Sequence, residues 1–178
     1  MLKYFYLTKR QWLGILKWSL YGLLTLLVLL LQTVVLSPLS IFGAKLAPLP
    51  ILIVCVCIRE GPEKGGVYAI LATLFWCLSG ADFGNLSVAV IPVGAMLSAV
   101  LCQVYLTKRL LPTSLCCLGV SWINASAIFV FKLILPPSLA ADNYWRVLLP
   151  GVLLSMLFMP IHYALVKLIG RIGVRDAL

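Results

Sequence analysis

Few residues in this sequence have both the chemistry and the setting of a reactive site. Asp82 and Asp142 fall in turns between apolar runs, and Lys132 lies near the end of a run, where its long side chain can reach the interface. General acid–base and nucleophilic catalysis need reactive groups within hydrogen-bonding reach of one another. The sequence contains no carboxylate pair, no Ser-His-Asp set and no phosphate-binding glycine loop. It therefore predicts no catalytic residues, and it is untypical of an ion-coupled carrier, which needs a carboxylate within the membrane.

The six cysteines do not have the arrangement of metal ligands. Metal-binding thiolates usually stand at Cys-x2-Cys spacing and are joined by histidine. This chain has one Cys-x-Cys, one adjacent pair and a single distant His162. We interpret the cysteines as small, polarisable packing residues, and we expect neither a metal ion nor a cofactor.

The elements that hold these residues must be membrane helices. Of the 178 residues, 63% are hydrophobic and only 11% are charged, and the mean hydropathy is +1.11. A soluble domain carries about a quarter charged residues. A helix needs roughly 20 apolar residues to cross a bilayer, so the chain has room for about six. The composition predicts an all-α polytopic membrane protein with one integral membrane domain over residues 1–178.

Six apolar segments are predicted to cross the membrane. The second and third are short and together resemble a re-entrant or compressed helical hairpin. Either residues 37–50 enter the membrane in irregular form, or the second helix is shielded by its neighbours. The predicted spans are 18–37, 48–58, 65–79, 86–106, 111–135 and 144–169.

The distribution of positive charge favours six spans with both termini in the cytoplasm. In that topology 11 of the 14 Lys and Arg residues lie on the inner side, as the positive-inside rule requires. Fusing the two short spans would place the C-terminal cations outside. The Lys and Arg residues behind the net charge of +9 are then expected to orient the helices and to interact with anionic lipid headgroups. Because no continuous basic face can be drawn, nucleic acid is not an expected partner.

Two pairs of small residues mark the predicted fourth helix. Gly94 and Ser98 form one pair, and Ala95 and Ala99 form the other, on an adjoining face. Such spacing allows helix backbones to approach closely. The neighbour is either another helix of this chain or the single transmembrane helix of a partner, and the sequence leaves both open.

Polar residues within the predicted spans have two interpretations. Hydrogen bonding between helices is the usual role of such residues in a bilayer. The lining of a ligand cavity is the alternative, and Gln103 and Asn124 are its candidates.

The densest cluster of charge lies between the second and third predicted spans. It contains Arg59, Glu60, Glu63 and Lys64, and its charges sum to zero. The cluster faces the predicted cytoplasm, either as a solvated turn or as a contact for a cytoplasmic protein.

Several short motifs follow one another along the chain. They are a basic N-terminus leading into Leu29-Leu30-Leu31-Gln32, a short Pro50 to Ile58 helix, Arg59-Glu60-Gly61-Pro62 followed by Gly65-Gly66, and Ser79-Gly80 with Gly84 after it. Their order resembles the bacterial rod shape-determining protein MreD family, over the whole chain in length and span layout. One departure is visible, because family members often carry an aspartate near the end of the third helix, where this chain has Phe75-Trp76-Cys77.

The resemblance implies a non-enzymatic scaffold or regulatory subunit of the cell-wall elongation machinery. Such a protein is multi-pass in the bacterial cytoplasmic (inner) membrane and acts in cell shape and peptidoglycan synthesis. Its implied partners are a bitopic MreC-like protein, MreB-like filaments, and the glycosyltransferase and transpeptidase that polymerise peptidoglycan. Its implied architecture is similar to the substrate-binding subunits of energy-coupling-factor vitamin transporters.

A vitamin-binding transporter subunit is the alternative function. Those subunits typically carry an alanine-x3-alanine face on the first helix for docking to the coupling protein. Residues 22–29 of this chain read Gly-Leu-Leu-Thr-Leu-Leu-Val-Leu and lack that face. The sequence therefore favours the scaffold, and an intramembrane enzyme is disfavoured for want of a reactive pair.

Overall fold

The computed structural model of the chain describes residues 9–36, 46–79, 86–106, 109–134 and 149–172. All regular secondary structure in these ranges is helical. The elements are α1 (Lys9–Leu30), continued by a π-helical segment (Leu31–Leu36), α2 (Leu49–Glu60), α3 (Pro62–Leu78), α4 (Ser87–Val104), α5 (Leu110–Ile134), α6 (Leu149–Ser155), a 3₁₀ segment (Met156–Phe158) and α7 (Met159–Ile169). The last three follow one another without a break, and we call residues 149–169 the C-terminal rod.

Proline positions explain where several helices begin. Pro50, Pro62 and Pro160 all lie in the first turn of their helices, α2, α3 and α7. Proline is tolerated there because its missing N–H would have no partner within the helix. Pro160 also lacks the N–H that would donate to the preceding turn of an α-helix, and the C-terminal rod has 3₁₀ geometry at Met156–Phe158, just before it.

Four helices in the described ranges are long and apolar enough to cross a membrane. They are Gln11–Leu36, Ser87–Val104, Leu110–Val130 and Leu149–Ile169. The prediction of an all-helical, multi-pass membrane protein is confirmed at this level.

The two remaining predicted spans are not among these four helices. Spans 48–58 and 65–79 correspond to α2 and α3, which have 12 and 17 residues. At 1.5 Å per residue, α2 covers only about 18 Å of a hydrocarbon core roughly 30 Å thick. The helix is short because it begins at its proline-containing first turn and ends before Gly61. Residues 37, 135 and 144–148 of the predicted spans lie outside the described ranges.

Helix α2 is the centre of the bundle. All ten residues from Leu49 to Ile58 are buried, and α2 packs against α1, α3, α4, α5 and α7. A backbone N–H group just before α2 also has a partner within the protein, because Ser155 Oγ accepts a hydrogen bond of 2.9 Å from Ala47 N. Polar backbone within a membrane requires such cover. The short helix is therefore sheltered by its neighbours, as its length leads one to expect.

Candidate functional site

The candidate site is the charged turn, residues 59–64, together with the face of α1 that packs against it. Glu60 is the last residue of α2, and both of its carboxylate oxygens are engaged. Lys17 Nζ lies 2.6 Å from Glu60 Oε2, and the Tyr21 hydroxyl donates to Oε1 at 2.8 Å. Because Lys17 and Tyr21 are four residues apart on α1, they lie on one helix face and bind Glu60 together.

The environment of this carboxylate is largely closed to solvent. The Lys17 side chain is 17% exposed and that of Glu60 9%, while Tyr21 is fully buried. Charge-assisted hydrogen bonds are roughly twice as strong as neutral ones, and few competing waters reach this pair. The interaction therefore anchors the end of α2 to α1.

Arg59 connects the same turn to a different helix. Its side chain lies over Gly170, at the end of α7, where an added Cβ would come within 2.7 Å of Arg59 Nε. Tyr163 and Lys167 of α7 line a small cavity with it. Consecutive residues on a helix point about 100° apart, so Arg59 and Glu60 contact different neighbours.

Gly61 is the only residue between α2 and α3. It has φ +96° and ψ 169°, a region of backbone space open essentially to glycine alone. Its N–H donates to Cys57 O, and its own carbonyl accepts from Gly65 N, both at 2.9 Å. Pro62 then starts α3. The reversal is thus specified residue by residue.

Gly65 allows α2 and α3 to approach at their backbones. A Cβ placed on Gly65 would lie 2.6 Å from Cys57 Cα and 3.0 Å from its carbonyl oxygen. The neighbouring Gly66 faces Met96 of α4. The glycine pair therefore permits α3 to pack against α2 on one side and α4 on the other.

Of the four charged residues predicted at this turn, two point into the helix bundle and two point outward. Arg59 and Glu60 contact other helices of the chain, as described above. Glu63 and Lys64, in the first turn of α3, are exposed. The solvated-turn interpretation applies only to this second pair.

A groove runs beside the charged turn between α1 and α3, and we call it the α1/α3 groove. Its volume is about 740 Å³. The two walls are joined by a hydrogen bond between Thr25 Oγ and the Tyr68 hydroxyl. The lining includes Trp18, Gly22 and Leu26 from α1, and Lys64, Leu71 and Phe75 from α3.

The small residues of α4 pack within the chain. Ala95, Ser98 and Ala99 are buried, and an added Cβ at Gly94 would lie 3.0 Å from Val120 Cγ1 of α5. Ala95, Ser98 and Ala99 therefore pack inside the bundle, and the half-buried Gly94 lies against α5.

The two polar candidates have different settings. Gln103 is exposed, and its Nε2 would lie 2.9 Å from a Cβ on Gly61, so it covers the turn and does not line an enclosed cavity. Asn124 is buried, and its Oδ1 has no hydrogen-bond partner among the described residues. Trp76 Nε1 and Ser87 Oγ share that condition.

Sequence reasoning missed the residues of α1 that complete the site. Tyr21 and Thr25 are buried polar residues on one face of the helix, and Lys17 continues that face toward the N-terminus. The helical period of this polar stripe was the available signal. It was hidden because the surrounding residues are almost all leucine or valine.

Two pairs of cysteine thiols are in contact but are not joined by disulfide bonds. Cys55 Sγ lies 3.7 Å from Cys117 Sγ, and Cys102 Sγ lies 3.8 Å from Cys116 Sγ, far beyond the roughly 2.05 Å of a disulfide. Within the described ranges, no three His, Cys, Asp or Glu side chains form a group that could hold a metal ion.

Comparisons of the chain with protein-family models, with curated proteins and with solved structures found no match.

Proposed function

We propose that this chain is a non-enzymatic scaffold subunit of the bacterial cell-wall elongation machinery, of the MreD type. It would reside in the cytoplasmic membrane and act in cell shape and peptidoglycan synthesis. The observation that carries the proposal is the construction of the charged turn. Several of the residues that carry the resemblance build this turn: Arg59 and Glu60 contact α7 and α1, Gly61 and Pro62 reverse the chain, and Gly65 allows close packing.

A scaffold needs a surface held in fixed geometry, and rigid elements hold a surface better than loops do. The charged turn joins α1, α2, α3 and α7 at one end of the bundle. It presents Glu63 and Lys64 outward from that base. These two residues are the proposed cytoplasmic contact.

The proposed topology has six spans, with α2 and α3 as the short pair and both termini in the cytoplasm. The burial of α2 supports it, because a helix without lipid contact does not have to match the bilayer thickness. The resulting architecture would be similar to the substrate-binding subunits of energy-coupling-factor transporters.

Cysteine labelling tests this topology. A cysteine at Glu63, which is exposed, is expected to react with a membrane-impermeant maleimide only from the cytoplasmic side. One at Asp142, a residue outside the described ranges, is expected to react only from outside. The unsubstituted chain, whose own cysteines are buried or half-buried, is the control for background labelling. The reverse pattern would overturn the proposed orientation.

Co-purification tests the proposed partnership. When the chain is co-expressed with a bitopic MreC-like protein, we expect the two to elute together in mild detergent. Glu63→Arg reverses an exposed charge without touching the packed core, and we expect it to weaken the association if the turn contributes to it. Recovery of the chain with an ATPase-driven coupling subunit instead would contradict the proposal.

A vitamin-binding transporter subunit is the second candidate, and one observation favours it. Trp76 Nε1, Ser87 Oγ and Asn124 Oδ1 are buried without hydrogen-bond partners among the described residues. They come from α3, α4 and α5, and in the proposed topology all lie in the outer half of the bundle. A buried polar atom left unpaired costs about 1–3 kcal/mol, and a polar ligand would satisfy such atoms. A vitamin that stays bound through purification would favour this candidate over the scaffold.

A further inference from the structure

The α1/α3 groove has the dimensions of a site for a single lipid chain. Its volume of about 740 Å³ falls within the range of small-molecule sites, roughly 300–1,000 Å³. Along α3 the lining extends from Lys64 to Phe75, which is roughly 17 Å of helix at 1.5 Å per residue. One leaflet of a bilayer has about 15 Å of hydrocarbon. The groove is therefore about one leaflet deep.

The groove is kept open by its composition and by the bonds across it. Gly22 and Ala72 are small residues of the lining, and nothing lies within 4 Å of a Cβ added at Gly22. The Thr25–Tyr68 hydrogen bond joins the two walls. The Lys17–Glu60 ion pair holds α1 at the neighbouring end. The space is therefore a feature of the packed structure.

The charge at the groove is placed at one end. Lys64 lines the groove next to the charged turn, is exposed, and forms no ion pair or hydrogen bond with the described residues. Lys17, a nearby cation on α1, is occupied by Glu60 at 2.6 Å. Trp18 lies at the same end, and tryptophan prefers the level of lipid headgroups. Glu63 is adjacent in sequence but does not line the groove.

We infer that the α1/α3 groove binds one anionic phospholipid, with an acyl chain along α3 and the phosphate beside Lys64. An apolar channel that ends in an exposed cation is complementary to an amphiphile with an anionic head. The transmembrane helix of a partner is a poorer fit, because it is 10–12 Å wide and must continue through both leaflets. This inference does not depend on the proposed scaffold function.

Native mass spectrometry of the full chain in detergent micelles tests the inference. The probes are dioleoyl phosphatidylglycerol and dioleoyl phosphatidylcholine at equal concentration, which share their acyl chains and differ in head charge. We expect the unsubstituted chain to retain the phosphatidylglycerol about fivefold better, the factor for one lysine near an anionic headgroup. Lys64→Gln should abolish the preference, and Gly22→Leu should lower retention of both lipids by filling the groove.

Two matched variants control for general effects. Lys167→Gln removes an exposed cation from α7, and Gly119→Leu adds the same side chain to α5 at another glycine with nothing within 4 Å. Both are expected to retain phosphatidylglycerol as the unsubstituted chain does. Equal retention of the two lipids by the unsubstituted chain would overturn the inference, as would an equal loss in Gly119→Leu. A dimer or a co-purified helix that is lost in Gly22→Leu, with no lipid retained, would assign the groove to protein and also overturn it.

Discussion

Gly65→Ala is expected to lower the thermal unfolding midpoint of the protein in detergent by roughly 6–12 °C, corresponding to about 3 kcal/mol. The added methyl group would lie 2.6 Å from Cys57 Cα and 3.0 Å from Cys57 O. Both are backbone atoms of α2, which is buried along its length, so no flexible side chain can move aside. Relief requires α3 to separate from the central helix. The measurement is the midpoint for loss of the monodisperse peak on size-exclusion chromatography after heating.

A matched substitution separates this steric effect from the general effect of replacing glycine in a helix. Gly119 lies within α5, and nothing lies within 4 Å of an added Cβ there. Alanine favours a helix over glycine by about 1 kcal/mol, so Gly119→Ala should leave the midpoint unchanged or raise it slightly. A Gly65→Ala midpoint at or above that of the unsubstituted chain would show that α2 and α3 do not approach as described.

Glu60→Ala is expected to destabilise the protein by about 2–4 kcal/mol, because it leaves a half-buried ammonium and a buried hydroxyl without their partner. The Lys17 ammonium loses its counter-ion at 2.6 Å, and the Tyr21 hydroxyl, on a fully buried side chain, loses its acceptor at 2.8 Å. Thermal unfolding in detergent measures the effect. Glu63→Gln, at an exposed position of the same turn, is the control and should leave the midpoint unchanged.

A double substitution shows whether the loss arises from the unpaired lysine. Glu60→Leu alone should be strongly destabilising, whereas Lys17→Met combined with Glu60→Leu should recover part of the loss, because replacing both partners of a buried pair by apolar residues is often nearly neutral. Additive effects of the two changes would mean that Lys17 and Glu60 do not interact, since coupling appears only between residues in contact.

The two substitutions also bear on the proposed function in different ways. Gly65→Ala acts on the packing of α3 against α2, while Glu60→Ala releases α1 from the end of α2. If the charged turn is a contact for a partner, both should weaken co-purification with it even at temperatures where the bundle remains folded, because both alter the base on which Glu63 and Lys64 stand.

Much of the helical layout followed from the sequence. The predicted fourth span, 86–106, corresponds to α4 at Ser87–Val104, and the predicted fifth, 111–135, corresponds to α5 at Leu110–Ile134. The agreement has a physical reason, because a long apolar run in a bilayer must satisfy its backbone hydrogen bonds internally. The beginning of α3 differs from the prediction, which placed it at residue 65, whereas the structure begins the helix at Pro62.

The candidate site was predicted only in part. The charge cluster was found as a run of sequence, and the glycines beside it as part of a resemblance. The contact of Glu60 with Lys17 joins residues 43 positions apart, and no local pattern specifies which of many cations such a carboxylate meets. The small residues of α4 show the same limit. Their spacing predicts close approach, but only the structure identifies Val120 of α5 as the neighbour of Gly94.

The sequence by itself determined the class of this protein, its helices and the breaks between them, because apolar content, proline and glycine act locally on the backbone. Only the tertiary structure decided that the short helix α2 is the central one, that Arg59 and Glu60 are turned inward toward α7 and α1, and that an open groove ends at Lys64. Those properties depend on which faces of distant helices meet, and in a chain where nearly every face is apolar, hydrophobicity does not distinguish one pairing from another. Close packing at a few glycines and the Lys17–Glu60 ion pair favour the observed pairing.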